Sequence, residues 1–287
     1  MNSKGTVLRR RFHDHLVLRG LAENTRTAYI SSIVRLAAHY HTSPDQLTNH
    51  QIQSYLVHLI EDRGLSFSSC NIAFAAMRSF YHDFLHYDET RFHLPARRTQ
   101  KKLPEVLSVE EVHRLLCSVR NLKHRTILLT VYASGLRVSE VVKLKPASIL
   151  ADRMQIRVEQ AKGNKDRYTK LSPRELIELR TYYKAYRPGK LWLFPGRDPN
   201  SHICIGTAQR IYYVARDRAG ITHGHGIHTL RHAFATHMLE AGEDLDTLQH
   251  WLGHESMETV SVYLHMTSNR GTRVKSPVEE FNLPSLS

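Results

Sequence analysis

Apolar residues recur at helical spacing through most of this 287-residue chain, and one stretch, residues 91–104, interrupts the pattern. Four basic residues lie between two prolines in this stretch: Arg97, Arg98, Lys101 and Lys102. A helical pattern that stops at a charged segment flanked by prolines is typical of a linker. The sequence therefore predicts two domains, over residues 1–96 and 105–287, joined by an extended basic linker over residues 97–104.

Helical spacing predicts four helices in the first domain, and they are expected to begin near these residues: Thr6, Thr25, Thr48 and Ser68. The third has the pattern of a capping box, in which Thr48 and Gln51 satisfy each other's backbone amides. The fourth is expected to continue to Phe84. One core should form from the apolar positions Leu8, Phe12, Leu16, Tyr29, Ile33, Leu36, Tyr40, Ile52, Tyr55, Leu56, Leu59, Ile72, Ala76, Phe80 and Phe84.

The second domain is predicted to be mostly helical with a small antiparallel sheet. Ser108 and Glu111 form another capping-box pair before its first helix. Residues 155–159 alternate as a short strand does, and Gly163–Asn164 is turn chemistry before a second strand over 168–171. Helices are expected over 109–119, 123–134, 138 onward, 173–186, 206–218, 229–241, 244–251 and 257–264. The predicted fold class is mainly α.

Composition indicates a folded protein with an anionic partner. The net charge is +13 at pH 7, and hydrophobic residues make up 41% of the chain, which is ample for real cores. A basic globular protein often binds nucleic acid, although such charge can also serve solubility alone.

The sequence predicts a cytoplasmic protein in a reducing compartment. Its three cysteines are too far apart for a disulfide framework or a CxxC zinc signature: Cys70, Cys117 and Cys204. The N-terminus carries the charged run 9–11 and no apolar core of a signal peptide. No apolar run approaches the ~20 residues that span a membrane, so no membrane partner is expected.

Six residues of the second domain suit attack on a phosphodiester. They lie in short motifs, in this order: Arg137 in GLRVSE, Lys162 in AKGNKDR, His228 and Arg231 in HTLRH, His254 in LGH, and then Tyr263. A phosphoryl-transfer transition state spreads negative charge over its oxygens, so catalysis is mostly positioning and electrostatics. Arginine suits this task because its charge is permanent and its guanidinium presents a rigid fork of donors.

The ordered set of GLRVSE, HTLRH, LGH and a late tyrosine resembles the tyrosine recombinase (phage integrase) family. Length and layout are similar to its Xer-type and integron-integrase branches. The resemblance implies an N-terminal SAM-like core-binding domain and a catalytic domain, which together clamp double-stranded DNA. It also implies a homotetramer on paired sites and a reaction that needs neither a metal ion nor another cofactor.

The resemblance further implies a role for each of the six residues. Tyr263 would be the nucleophile, because the family nucleophile occupies this position, nine residues after His254. Arg137 and Arg231 would hold the nonbridging oxygens of the scissile phosphate. His228 and His254 would contact the same phosphate.

Lys162 would be the general acid for the leaving 5′ oxygen. Lys165 is the competing candidate, and the family often has glycine where this chain has Ala161. A 3′-phosphotyrosyl intermediate would conserve the bond energy until the 5′-hydroxyl of a partner strand reseals the DNA.

Other interpretations stay open for single residues. Arg137 precedes Glu140 by three positions, which also suits a surface salt bridge on a helix. The four linker cations either follow DNA phosphates or form a solvated charge run. His228 and His232 have HxxxH spacing, but Thr229 replaces the glutamate of the HExxH zinc motif, so the sequence predicts no metal site.

Three rival functions also stay open. The chain could be a type IB topoisomerase-like enzyme that nicks and reseals DNA, a DNA-binding protein without activity, or a metal-dependent hydrolase built on its histidines. All six expected residues are present, which argues against loss of activity. The target sequence and the biological task (integration, excision, dimer resolution, cassette exchange or transposition) do not follow from the residues.

Overall fold

The computed structural model describes residues 7–88, 105–159 and 166–253. The chain divides into two compact units, Met1–Lys101 and Lys102–Ser287, while the bounds of the linker stay a prediction. The described chain is mainly helical with one small antiparallel sheet, so the predicted fold class is confirmed. Within these ranges no helix is long and apolar enough to cross a membrane.

Over residues 7–88, the first unit contains four α-helices: α1 (Val7–Leu18), α2 (Glu23–Tyr40), α3 (Asn49–Glu61) and α4 (Phe67–Arg78). The predicted capping box of α3 is confirmed, because the backbone N–H of Thr48 donates to Gln51 Oε1 and the Gln51 N–H donates back to Thr48 Oγ1. The helices enclose one core, whose largest fully buried side chains include Phe12, Leu16, Leu36, Ile52, Met77, Phe80 and Tyr81.

The end of the fourth helix differs from the prediction. Residues Ser79–Phe84 are π-helical, and the Leu85 N–H donates to Phe80 O, five residues back. The wider turn allows the adjacent side chains of Phe80 and Tyr81 both to be buried. Ile72, expected in the core, is instead 46% exposed. It lies about 100° around the helix from Ala73, which is on the buried face.

The second unit begins with three helices and a sheet: α5 (Val109–Cys117), α6 (Leu122–Ser134), α7 (Val138–Val141), β1 (Ile149–Leu150), β2 (Gln155–Val158) and β3 (Arg167–Lys170). The strands are antiparallel in the order β1-β2-β3, and Ile156 lies opposite both Ile149 and Thr169. The first strand was not predicted, because two residues are too few to show alternation. The capping box of Ser108 and Glu111 is confirmed.

Four further helices complete the described part of this unit: α8 (Pro173–Tyr186), α9 (Ile205–Arg218), α10 (His228–Glu240) and α11 (Leu245–Leu252). Their bounds agree with the predicted ranges to within one residue at each end. The predicted helix over 257–264 lies outside the described residues.

Two helices, α6 and α10, pass through the core of the second unit and pack against each other. Each is buried on most of its circumference, which is typical of an interior helix. The C-terminal end of α6 leads into Gly135, and α10 begins at His228. The GLRVSE and HTLRH motifs are therefore positioned by two helices that are packed in the core.

A buried carboxyl group supports the C-terminal end of α6. Ser134 Oγ donates to the carbonyl of Lys170 at 2.7 Å and lies 2.8 and 2.9 Å from the two carboxyl oxygens of Glu175. A hydroxyl has one proton and two lone pairs, so Ser134 can donate to one of these oxygens and accept from a protonated Glu175. Burial raises the pKa of Glu175 to about 8, against opposing contributions from Ser134 and Ser172. This glutamate is therefore protonated at neutral pH.

We expect Glu175→Gln to stabilise the protein at alkaline pH. Because the folded-state pKa is raised from its ordinary 4.5, the contribution of Glu175 to stability is lost as pH rises from about 4.5 to about 8. Glutamine keeps the shape and cannot ionise. The melting temperature of the variant should exceed that of the wild type by about 5 °C at about pH 9, with the difference disappearing near pH 5.

The exposed Glu110→Gln variant removes a carboxyl group from α5 and serves as control. An equal shift in both variants, or no dependence on pH in Glu175→Gln, would contradict the assignment of a neutral buried acid.

Candidate active site

Three arginines from distant parts of the second unit converge on the carboxylate of Glu140. Arg167 at the start of β3 donates from Nη1 and Nη2 to the two carboxylate oxygens, at 2.7 and 2.8 Å. Arg137 donates from its backbone N–H at 2.8 Å and from Nη1 at 2.9 Å. Arg231 on α10 forms an ion pair with the same carboxylate at 3.9 Å. Glu140 thus joins three elements through one charged group.

The GLRVSE motif has its spacing because it forms a helix end followed by a helix start. Gly135 ends α6 in the left-handed conformation, with φ of +62°. Arg137 then has extended backbone and precedes α7, while Glu140 accepts its backbone N–H from the first turn. A carboxylate in this place satisfies an amide that the helix leaves unpaired and lies at the positive end of its dipole.

The same three arginines cap the last carbonyls of α11. Arg167 Nε donates to Trp251 O at 3.0 Å, Arg231 Nη2 to Leu252 O at 2.7 Å, and Arg137 Nη2 to Gly253 O at 3.2 Å. Carbonyls at a helix C-terminus have no partner within the helix and carry its negative dipole end, so cations stabilise them. In the sequence, His254 follows these three residues.

The arginines keep Glu140 ionised although it is buried. Burial would raise the pKa of Glu140, but hydrogen bonds and charge from Arg167, the backbone N–H of Arg137 and the charge of Arg231 together lower it to about 2. The side chain of Arg137 is 23% exposed, against 7% for Arg167 and 4% for Arg231. Three positive charges surround one negative charge, so the cluster is suited to bind an anion from the solvent on the side of Arg137.

His228 lies at the first position of α10, within the electrostatic influence of this cluster. Partial burial lowers its pKa, as do the positive charges of Arg231 and Arg137, while Glu140 opposes them. The pKa of His232, one turn further on, is lowered to about 4 by burial, His228 and Arg231. Both rings are therefore neutral at neutral pH, and a neutral imidazole can accept a proton.

The structure brings together three of the six predicted catalytic residues, namely Arg137, His228 and Arg231. The other three and the linker cations lie outside the described residues: Lys162, His254, Tyr263, Arg97, Arg98, Lys101 and Lys102. The pairing of Arg137 with Glu140 does occur. It is not a surface salt bridge, because Glu140 is 8% exposed and is shared with two further arginines.

Sequence reasoning missed Arg167. The position of Arg167 in β3 could have indicated that its side chain is buried, because the strand alternation buries Arg167 and Thr169 and exposes Tyr168. An arginine on the inward face of a short strand needs an anionic partner, since buried charges are almost always paired.

An open cleft of about 530 Å³ extends from the arginine cluster across the sheet. Its lining includes Arg137, Ser139, Lys143, Lys145, Arg157 and Trp192. Lys145 pairs with Glu159 and Arg157 pairs with Asp166, whereas the exposed Lys143 is on the rim beyond α7. Within the described ranges, no three histidine, cysteine, aspartate or glutamate side chains are grouped to hold a metal ion.

Comparison with known protein families matches both units. A model described as Phage integrase family matches residues 105–270, and one described as Phage integrase, N-terminal SAM-like domain matches residues 8–89. A putative integrase/recombinase of Sinorhizobium fredii is 40% identical over 281 residues, covering 98% of this chain and 91% of that protein. Tyrosine recombinase XerD of Rhizobium meliloti is 32% identical over 275 residues, with 88% of each protein covered.

Solved structures share the fold at lower sequence identity. The XerH site-specific recombinase bound to palindromic difH substrate superposes with a TM-score of 0.71 at 21% identity, covering 88% of this chain and 79% of that one. A lambda integrase tetramer bound to a Holliday junction gives a TM-score of 0.72 at 19% identity, covering 94% and 78%.

We expect Gly135→Ala to disrupt the arginine cluster. A Cβ atom at this left-handed position would lie 2.4 Å from Phe234 Cδ1, on the side chain of a buried α10 residue. The clash and the unfavourable φ should together lower the free energy of unfolding by about 2 kcal/mol, as thermal or urea denaturation would measure. Gly189→Ala, where a Cβ meets nothing within 4 Å, is the matched control. Equal stability of the two variants would disprove the close approach.

Proposed function

The chain belongs to the phage integrase family and is a site-specific tyrosine recombinase that cuts and rejoins DNA, and on this premise we propose that its arginine cluster binds the scissile phosphate. The observation that carries this proposal is the convergence of Arg137 and Arg231 on one carboxylate, with His228 beside them. Two guanidinium groups would share the nonbridging oxygens and stabilise the charge that develops there. Glu140 would orient the guanidinium of Arg137 before DNA binds.

Tyr263 is the proposed nucleophile, on the grounds of its spacing after LGH. A phenol has a pKa near 10, so forming the phenolate at neutral pH costs about 4 kcal/mol unless the site stabilises it. The positive charge of Arg137 and Arg231 would lower that cost, and neutral His228 is a suitable proton acceptor. His254 is proposed to donate a hydrogen bond to the phosphate.

Lys162 is proposed to protonate the departing 5′ oxygen, with Lys165 as the competing candidate. The bond between phosphorus and the 5′ oxygen breaks as the bond to the tyrosine oxygen forms, which leaves a 3′-phosphotyrosyl link and a 5′-hydroxyl. Attack by the 5′-hydroxyl of a partner strand reverses the step and releases Tyr263. This exchange conserves the number of phosphodiester bonds, so it requires no energy-rich cofactor.

The recombinase is proposed to assemble on DNA. The lambda integrase structure is a tetramer on a Holliday junction, and the XerH structure contains its difH substrate. We propose that this chain likewise acts as a homotetramer on two double-stranded sites in the cytoplasm. The basic linker, with Arg97, Arg98, Lys101 and Lys102, would follow the phosphate backbone of each site.

Covalent capture tests the nucleophile. Wild type, Tyr263→Phe and the exposed Tyr213→Phe control would be expressed in cells with the native genomic neighbourhood and denatured rapidly. We expect wild type and Tyr213→Phe to carry DNA on a peptide that contains Tyr263, and Tyr263→Phe to carry none. DNA on the Tyr263→Phe protein would exclude this nucleophile.

The captured DNA supplies the site for the next test. Exchange of partner strands between two labelled sites is the expected product, whereas relaxation of supercoils without exchange would indicate a topoisomerase-like reaction. Tight DNA binding without covalent capture would indicate an inactive binding protein, and loss of cleavage in EDTA would indicate a metal-dependent hydrolase.

The cleft beside Arg137 predicts how DNA affinity depends on salt concentration. Lys143 is exposed on its rim and would neutralise one phosphate next to the scissile one. Lys143→Gln should therefore weaken DNA binding and reduce the slope of log affinity against log salt by about 1. Lys184→Gln removes the same charge from α8, outside the cleft, and should leave the slope unchanged. Identical slopes for wild type and Lys143→Gln would place the DNA elsewhere.

A further inference from the structure

We propose that Arg167 is a positioning residue, which holds Glu140 and the C-terminal end of α11 in place for the catalytic arginines. This inference rests on the proposed function of the cluster, because it assigns to Arg167 an action through Glu140 and α11. It adds a seventh residue to the six that the motifs indicated, at a position in β3 that contacts two of the motif segments.

The contact with Glu140 completes the coordination of that carboxylate. Its two oxygens accept two hydrogen bonds from Arg167, at 2.7 and 2.8 Å, and two from Arg137, at 2.8 and 2.9 Å. A carboxylate has about four lone-pair positions, and these four hydrogen bonds occupy them. Arg137 and Arg167 together therefore fix the orientation of the Glu140 carboxylate. Without Arg167, half of these bonds disappear, and the carboxylate can rotate away from Arg137.

The contact with α11 is equally close. Arg167 Nε donates to Trp251 O at 3.0 Å, and a Cβ atom on Gly253 would lie 2.7 Å from Arg167 Cδ. Gly253 has a φ of +61°, a conformation that favours glycine. The arginine therefore packs into space that the absence of a side chain at position 253 provides, immediately before His254 in the sequence.

The geometry points to positioning through Glu140. Both Nη atoms of Arg167 donate to this carboxylate, and its Nε donates to Trp251 O. Arg231 is also buried, but its Nη atoms donate to main-chain carbonyls, and it lies 3.9 Å from Glu140. Arg137 is 23% exposed and lines the open cleft. Arg167 also begins the strand that follows the AKGNKD segment, five positions after Lys162. It thus connects the start of β3 to Glu140.

Lysine at this position keeps the charge but cannot reproduce three directed bonds, because an ammonium group lacks the planar fork. Arg167→Lys should therefore bind the captured DNA site within about threefold of wild type but cleave it about 10- to 100-fold more slowly in single turnover at saturating protein. Arg125→Lys, on α6 and paired with Glu178 outside the cleft, is the matched control and should cleave at the wild-type rate.

A pH profile separates positioning from a general loss of structure. The charged and titratable groups that face Glu140 among the described residues are Arg137, Arg167, Arg231 and His228. Arg167→Met removes the group that most lowers the pKa of Glu140, so burial should raise it into the accessible range. The cleavage rate of Arg167→Met relative to wild type should then fall as pH decreases from about 8 to about 5. Because the charge of Glu140 also affects the pKa of His228, a second variant identifies the carboxylate as the source of this dependence.

Adding Glu140→Gln to Arg167→Met should abolish this pH dependence. A thermal melt shows whether Arg167→Met folds. If it does not fold, the comparison of DNA affinity with cleavage rate in Arg167→Lys tests the proposal. Wild-type cleavage by Arg167→Lys would overturn the proposal. So would a weakening of DNA affinity as large as the loss of rate, since that is the behaviour of a direct phosphate contact. If wild type itself fails to form a link through Tyr263, the proposed function fails instead, before Arg167 is tested.

Discussion

The carboxylate of Glu140 is the group that holds the catalytic unit together at its charged centre. It lies in α7, and arginines from the residue before α7, from β3 and from α10 pair with it. A buried ion pair contributes little net stability because desolvation offsets its attraction, but loss of one partner leaves an uncompensated charge and is costly. Removal of one arginine is therefore expected to cost more stability than the intact cluster contributes.

The second constraint is repulsion among the three guanidinium groups. One carboxylate neutralises one of the three charges, and the carbonyls of Trp251, Leu252 and Gly253 provide the negative end of α11 to all three arginines. The remaining positive charge is directed to the cleft through Arg137, the most exposed of the three. An anion that arrives from the solvent therefore meets donors that are already oriented, which is the requirement for electrostatic catalysis.

The surrounding core keeps this arrangement rigid. Helices α6 and α10 are buried around most of their surface. The Gly135 turn follows the C-terminal end of α6, and His228 is the first residue of α10. The neutral acid Glu175 and the hydroxyl of Ser134 hold the end of α6 against β3 and α8 by hydrogen bonds instead of ion pairs. Two buried carboxyl groups thus occupy opposite protonation states. Three arginines pair with Glu140, whereas the contacts of Glu175 in the described part of the chain are with Ser134 and Ser172.

Local patterns in the sequence determined the helices, the capping boxes and the motif residues. Thr48 with Gln51 and Ser108 with Glu111 could be assigned because both partners of a capping box are three residues apart. Contacts between distant residues were decided only by the tertiary structure. The pairing of Arg167 with Glu140 spans 27 positions, and its bond to Trp251 spans 84, so no periodicity records them. The family motifs indicated Arg137 and Arg231, whereas the role of Arg167 depends on packing that brings β3 against the end of α11.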